Sequence, residues 1–174
     1  MRAVASSPAA DGSAGAAVPT VRHDTFVVER DVPAPAAAVF GAFADTPVRR
    51  RWFRLPGREL DYRHEFAVPG EERVSSVFDV MGAGREHLVY ESRYLDIVAD
   101  TRIVYTYTSS VDAVVRWASL VTVEFAPADG GSRLRWTEQA AFLVASAHPE
   151  HDLPHLRGAL GLRLNGLAAV LRTH

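Results

Sequence analysis

A chain of 174 residues, 48% of them hydrophobic and 23% charged, is long enough for one well-buried domain and short for two. Its formal net charge of -2 gives no basic excess, which argues against a nucleic-acid partner. Cysteine and lysine are both absent, all 19 cationic side chains being arginine, so disulfides, thiolate metal sites, a thiol nucleophile and a lysine Schiff base are excluded.

Acid–base chemistry therefore falls to His, Asp, Glu or Tyr, because arginine stays charged. No run of about 18 apolar residues occurs, so no membrane span is expected. The opening "MRAVASSPAADGSAGAAVPT" is rich in Ala, Gly, Ser and Pro and lacks the apolar centre of a secretory signal. Residues 1–22 read as a disordered tail, residues 23–174 as the single domain, and a cytoplasmic location is expected.

"HDTFVVERDV" reads as a first strand, ended by Pro33 and Pro35. "APAAAVFGAFAD" follows as a short helix, with Val39, Phe40 and Phe43 at helical spacing. Thr46 is positioned to cap a second short helix, "PVRRRWF", with Pro47 at its first position. The run Arg49-Arg50-Arg51 beside Trp52 and Phe53 reads as a solvated helix face, with attraction for an anionic ligand or acidic partner as the alternative.

From about residue 59 the apolar pattern switches to period 2. Six strands are expected in "ELDYRHEFAV", "RVSSVFDV", "EHLVYESRYLDIV", "RIVYTYTS", "AVVRWASLVTVEF" and "RLRWTEQAAF". The links between them, Pro69-Gly70, Gly82-Ala83-Gly84, Asp100, Asp112 and Pro127 to Ser132, are short enough to force antiparallel neighbours. "GAGREH" at 82–87 thus reads as a hairpin, not as a dinucleotide loop opening a helix.

Leu153, Leu156, Leu160, Leu164, Leu167 and Leu171 then recur at steps of three or four, the stripe of one long helix. About 18 helical residues span roughly 27 Å, matching a strand of about 9 residues. Gly158, Gly161 and Gly166 inside it each cost on the order of 1 kcal/mol relative to Ala. They either allow close packing or are tolerated in a helix held by its leucines. His148, His151 and His155, with Glu150 and Asp152, resemble a metal cluster by composition. Pro149 and Pro154 break a continuous helix through all three, so a surface or capping role, without metal, is expected.

The element order defines an α+β fold: a curved antiparallel sheet wrapped around a long C-terminal helix, with two short helices after the first strand. The sheet's other face should be polar, and the curvature leaves room between sheet and helix for a pocket. Strand phase selects the side chains that face it. Val115, Trp117, Ser119, Val121, Val123 and Phe125 share a face, as do Leu134, Trp136 and Glu138 on the last strand. Ile103, Tyr105 and Tyr107 point the same way, with Tyr62, His64, Phe66, Ser76 and Phe78. Glu124 should meet Arg133 or Arg135 on the wet face, and Glu138 should lie beside Val121 or Ser119. A carboxylate turned inward must be hydrogen-bonded, protonated or at a solvated mouth. Tyr hydroxyls are the obvious donors.

The runs "ESRYLDIVADTRIVYTYT" and "ASLVTVEFAPADGGSRLRWTEQAAFL", with the early "VPAPAAAVFGAFADTPVRRRWF", resemble the START-like SRPBCC superfamily over roughly residues 24–172. More narrowly they resemble bacterial proteins related to the activator domain of the heat-shock-protein-90 co-chaperone. The chain departs from that branch at Ala67, Pro69 and Ala140. The resemblance implies a helix-grip fold holding a small hydrophobic or aromatic molecule between sheet and helix. On that reading Trp117, Val121, Trp136, Tyr105, Tyr107 and Phe66, with Leu160 and Leu164 from the helix, supply walls. Glu138, with His64 or Ser119, orients a polar substituent. No cofactor is implied, and the chain is expected to be a monomer or homodimer. Two alternatives remain open. One is an enzyme resembling polyketide aromatase/cyclases, with Glu138, His64 or Tyr105 in proton transfer. The other is a chaperone-activator-like interaction module.

Overall fold

The computed structural model describes residues 20–80 and 84–172. The tail assigned to residues 1–22 falls outside the described residues as far as residue 19, as do residues 82 and 83 of the expected glycine turn. Strand β1 (Arg22–Val32) is followed by helices α1 (Ala36–Ala44) and α2 (Thr46–Trp52). Strands β2 (Arg58–His64), β3 (Glu71–Val80), β4 (Gly84–Val98), β5 (Arg102–Val111), β6 (Val114–Ala128) and β7 (Gly131–Phe142) come next. A single 3-10 turn, Pro149–His151, leads into the long helix α3 (Asp152–Leu171).

The seven strands form one antiparallel sheet in the order β1-β7-β6-β5-β4-β3-β2. From β2 to β7 each strand pairs with the next, while β1 pairs with the last strand and places α1 and α2 across one face. That face also receives α3, which packs against α1, α2 and β1. Together they make the helix-grip arrangement expected from the sequence.

Local chemistry explains the helix boundaries. Pro33 and Pro35 end β1, and the chain turns with Ala34 N–H donating to the Val32 carbonyl at 2.8 Å. The cap of α2 is a correction. Asp45, in extended conformation, accepts from Val48 N–H at 2.9 Å, and Thr46 is the first helical residue. A carboxylate at the cap satisfies the orphan donor and complements the helix dipole, so it outcompetes the neighbouring hydroxyl. Helix α3 buries Leu156, Leu160, Leu164, Leu167 and Val170, with Leu153 and Leu171 half-buried. Of its glycines, Gly166 abuts Trp52, whose Cβ lies 3.4 Å from where a glycine Cβ would sit, whereas Gly158 and Gly161 face open space.

Register assembles the inner face into rows across the sheet. One row runs His64, Glu72, Ser92, Tyr107, Ser119, Ala140. The next runs Tyr94, Tyr105, Val121, Glu138, Phe26. A third carries Ile103, Val123, Trp136 and Val28. Glu124 pairs with Arg135, while Arg133 meets Asp31 of β1.

Two inward assignments are corrected. Phe78 is 38% exposed, because the outer end of the β3–β4 hairpin runs beyond the helical layer and its neighbours Asp79, Gly84 and Arg85 are exposed too. Val115 is 36% exposed. The pairing shifts between Ser109 and Ser110, leaving Arg116 as an extra residue that turns the strand before Trp117. Similar bulges fall at Leu60 and Leu95, both exposed.

Candidate functional site

The inward carboxylate is real. Glu138 is 2% exposed and lies opposite Val121. Tyr107 donates its hydroxyl to Glu138 Oε1 at 2.5 Å, and Trp136 Nε1–H donates to Oε2 at 3.1 Å. Trp117 Nε1–H in turn donates to the Tyr107 oxygen at 3.0 Å. Two indoles and a phenol on three adjacent strands thus hold one buried acid, each oxygen receiving a donor. Burial, reinforced by Glu138, pushes the Tyr107 phenol far above its ordinary value. Burial and Tyr90 do the same to Tyr105. Neither phenol ionises near neutral pH.

On either side of Tyr107 stand two more buried hydroxyls. That of Ser119, its cross-strand neighbour, faces the Tyr107 phenol, while that of Tyr90, whose ring lies 4.9 Å from that of Tyr107, has no hydrogen-bond partner among the described residues. The half-buried Trp117 and Arg163 stand at the edge of this region, the Arg163 guanidinium 5.9 Å from the Tyr90 ring and 4.4 Å from Phe53.

His64 belongs to a different cluster. It sits on β2, five strand spacings from β7, about 24 Å along the sheet from Glu138. Its Nδ1 bonds with Thr46 Oγ1 at 2.9 Å and its Nε2 with the Tyr94 hydroxyl at 3.0 Å. Burial pushes the His64 imidazolium down from 6.5, with Arg49 adding to the effect and Glu72 opposing it. Beside it, Arg49 Nη2 meets Glu72 Oε2 at 2.8 Å, and Tyr62 donates to Glu72 Oε1 at 2.8 Å. Burial works against the Arg49 charge, but the Glu72 carboxylate outweighs it and holds the guanidinium above its ordinary range. Phe66 packs on Phe40 and Tyr94, at the far side of the sheet from Trp136.

Of the residues singled out from sequence, the fold brings Trp117, Ser119, Tyr107, Tyr105, Val121, Trp136 and Glu138 together on three adjacent strands, while Leu160 and Leu164 are buried on α3. It places His64 and Phe66 apart from them. Sequence reading missed Arg49 and Glu72, the buried ion pair, and Tyr90 and Tyr94. Phase was the available signal: Glu72 alternates with Val74 and Ser76, and Leu88, Tyr90, Ser92 and Tyr94 form one period-2 series.

The concavities formed by the described residues include two on the sheet. One, of about 480 Å³, lies between α2 and the β2–β3 edge. The other, of about 660 Å³, is a trough on the outer sheet face beside Thr106, Thr108, Leu120 and Gln139. Neither lies beneath α3, where Tyr90, Tyr105, Tyr107 and Trp136, each at most 5% exposed, fill the space. The three histidines before and within α3 are side by side, with ring centroids 5.6 and 6.1 Å apart. His148 and His151 approach Glu150 at 3.5 and 4.0 Å. Among the described residues no group of three His, Asp or Glu converges on a cation site, and no helix is long and apolar enough to cross a membrane.

Sheet, long helix and inward polar row define a START-like SRPBCC protein of helix-grip fold. Within that class the chain belongs to the family described as activator of Hsp90 ATPase homolog 1-like protein, whose model matches residues 33–172. It is similar to a solved structure of a protein from Rhizobium leguminosarum, 32% identical, with a TM-score of 0.77 over 89% of this chain and 98% of that one. Protein Mll3558 from Rhizobium loti is 36% identical, with a TM-score of 0.71 over 87% and 99%. The AHSA1-like protein from Aeromonas hydrophila, at 16% identity and a TM-score of 0.60 over 86% and 93%, shares the fold. No curated protein matches the chain.

Proposed function

We propose that the protein binds a small, largely apolar molecule carrying one hydrogen-bonding substituent, against the inner sheet face beneath α3. The observation that carries this reading is the buried hydroxyl of Tyr90, unpartnered among the described residues, beside the Tyr107 ring. An unsatisfied buried polar group costs about 1–3 kcal/mol, so a carbonyl or hydroxyl delivered to the Tyr90 hydroxyl is favoured over leaving it unpaired. The Tyr107–Glu138–Trp136 bonds fix the rings around that point, and Trp117 and Arg163 mark the side from which a ligand enters. Because aromatic rings occupy the space, binding proceeds by their displacement. It therefore selects flat, apolar bodies that replace ring-to-ring contact in kind.

Proton transfer is the weaker reading. Glu138 already accepts from two donors, and His64 stands five strands away. Titration with the neutral fluorophore Nile red tests the proposal. Wild-type protein should bind it, and Ser119→Trp, which fills the position opposite Tyr107, should weaken binding about tenfold or more. Equal affinity in a variant that keeps its thermal transition would remove the inner face from consideration. Native mass spectrometry of protein purified without denaturation would identify a retained ligand directly.

A further inference from the structure

Among the described residues the inner sheet face carries two buried carboxylates, and both are engaged. Glu72 accepts from Arg49 at 3.1, 3.2 and 2.8 Å and from the Tyr62 hydroxyl at 2.8 Å. Glu138 accepts from Tyr107 and Trp136. Neither reaches the Tyr90 hydroxyl, which has no acceptor among the described residues. Arg49 Nη1 is likewise buried without a partner, and a guanidinium nitrogen can only donate. What this region lacks is acceptors.

Arg163 adds positive charge to the same place. It is half-buried on α3, its guanidinium 4.4 Å from the centre of the Phe53 ring and 5.9 Å from that of Tyr90. Arg49 stands 4.0 Å from the same Phe53 ring. Two cations thus share one aromatic ring, but only Arg49 has a carboxylate. Arg163 forms no ion pair and no hydrogen bond among the described residues. Attraction to a ring does not consume the fork of N–H donors that arginine offers a carboxylate. The charges that act on the Tyr90 hydroxyl are Glu72, Arg49 and Arg163, two positive against one negative. Burial, reinforced by Glu72, pushes this phenol far above its ordinary value, so it keeps its proton and is available as a donor.

We infer that the polar substituent of the inner-face ligand is a carboxylate, held between the Arg163 guanidinium and the Tyr90 hydroxyl. This rests on the inner-face reading and narrows its ligand to apolar or aromatic carboxylic acids. One carboxylate supplies both missing things, a negative charge for Arg163 and an acceptor for Tyr90. Half-burial leaves the Arg163 charge reachable from solvent yet less screened than a surface charge. A neutral ligand leaves Arg163 uncompensated, and a bare anion forfeits the aromatic face.

Fluorescence titration with pyrenebutyrate and its neutral counterpart pyrenebutanol, near neutral pH, tests the inference. The carboxylate should bind about tenfold or more tightly. Arg163→Gln should abolish that preference and bring the two probes to similar affinity. Arg163→Lys, which keeps the charge without the fork, should retain part of it. Tyr90→Phe should weaken pyrenebutyrate binding several-fold without lowering the thermal transition, because the lost hydroxyl had no partner. The preference should also shrink as salt rises. Equal wild-type affinity for the two probes, or a preference undiminished in Arg163→Gln, would overturn the carboxylate assignment. Nile red binding that Ser119→Trp still weakens would then leave the inner-face reading standing. Failure of pyrenebutyrate, pyrenebutanol and Nile red all to bind would overturn both.

Discussion

Arg49 and Glu72 form a buried ion pair that joins α2 to β3, with Nη2 2.8 Å from Oε2 and side chains 1% and 0% exposed. The guanidinium lies 4.0 Å from the Phe53 ring and 4.4 Å from Trp52, so the pair is enclosed by aromatic faces. Removing one partner leaves a charge without compensation. Glu72→Gln and Arg49→Met should each destabilise by about 3–5 kcal/mol, whereas the double variant Arg49→Met/Glu72→Leu should recover most of the loss. Urea denaturation of all four proteins measures this. Losses that simply add in the double variant would show that the two side chains do not act as a pair.

Glu138 accepts two donors and so has no suitable isostere. In Glu138→Gln one oxygen still accepts, but the amide nitrogen is turned toward Tyr107 or Trp136, itself a donor. The expected loss is about 1–3 kcal/mol, and Glu138→Leu, which abandons both donors, should cost more. Chemical denaturation gives the ranking, and a wild-type-like Glu138→Leu would contradict it.

His64 gives the domain an acid-side weakness. Its folded value lies below the unfolded 6.5 because burial disfavours the imidazolium. The unfolded chain therefore binds the proton more readily. Stability from the neutral ring is full above pH 6.5 and is lost as pH falls through the depressed folded value. Thermal melts between pH 7.5 and 5 should show this step, and His64→Gln should flatten it. An unchanged profile in His64→Gln would assign the step to other groups.

Two helix glycines are unused space. A Cβ at Gly158 or Gly161 meets nothing within 4 Å, so Gly158→Ala and Gly161→Ala should each stabilise by about 1 kcal/mol. For a domain of this size that is a rise of roughly 2–4 °C in Tm. Gly166 faces Trp52 at 3.4 Å, so Gly166→Ala should gain less and Gly166→Leu should destabilise. Calorimetry distinguishes these. A fall in Tm for Gly158→Ala would mean that helix propensity does not govern there.

Period and phase made most of the sheet legible. Alternation located all six later strands and set Tyr105, Tyr107, Trp136 and Glu138 on the inner face, because one buried side leaves a strand no freedom to invert. Phase failed at bulges. Arg116 is an extra residue that alternation cannot announce, and it turned Val115 outward. Charge misled in the other direction. Arg49 reads as part of a solvated helix face, yet it is buried against Glu72, 23 positions further on, because each neutralises the other. The cap of α2 turned on a competition between adjacent Asp45 and Thr46 that composition does not rank. The distance between His64 and Glu138 follows from counting strands through the short links, from the first of the six to the last, which a shared inward phase alone does not do.

Strand order also governs how the chain must assemble. Asp31 and Arg133, neighbours across the β1–β7 ladder, are 102 positions apart. During synthesis the first strand emerges early and waits, its hydrogen-bonding edge open, until nearly the whole domain has left the ribosome. Closing so long a loop costs entropy before the contact repays it, which favours late formation of this ladder. In the interval β1 is the segment most exposed to pairing with another nascent chain.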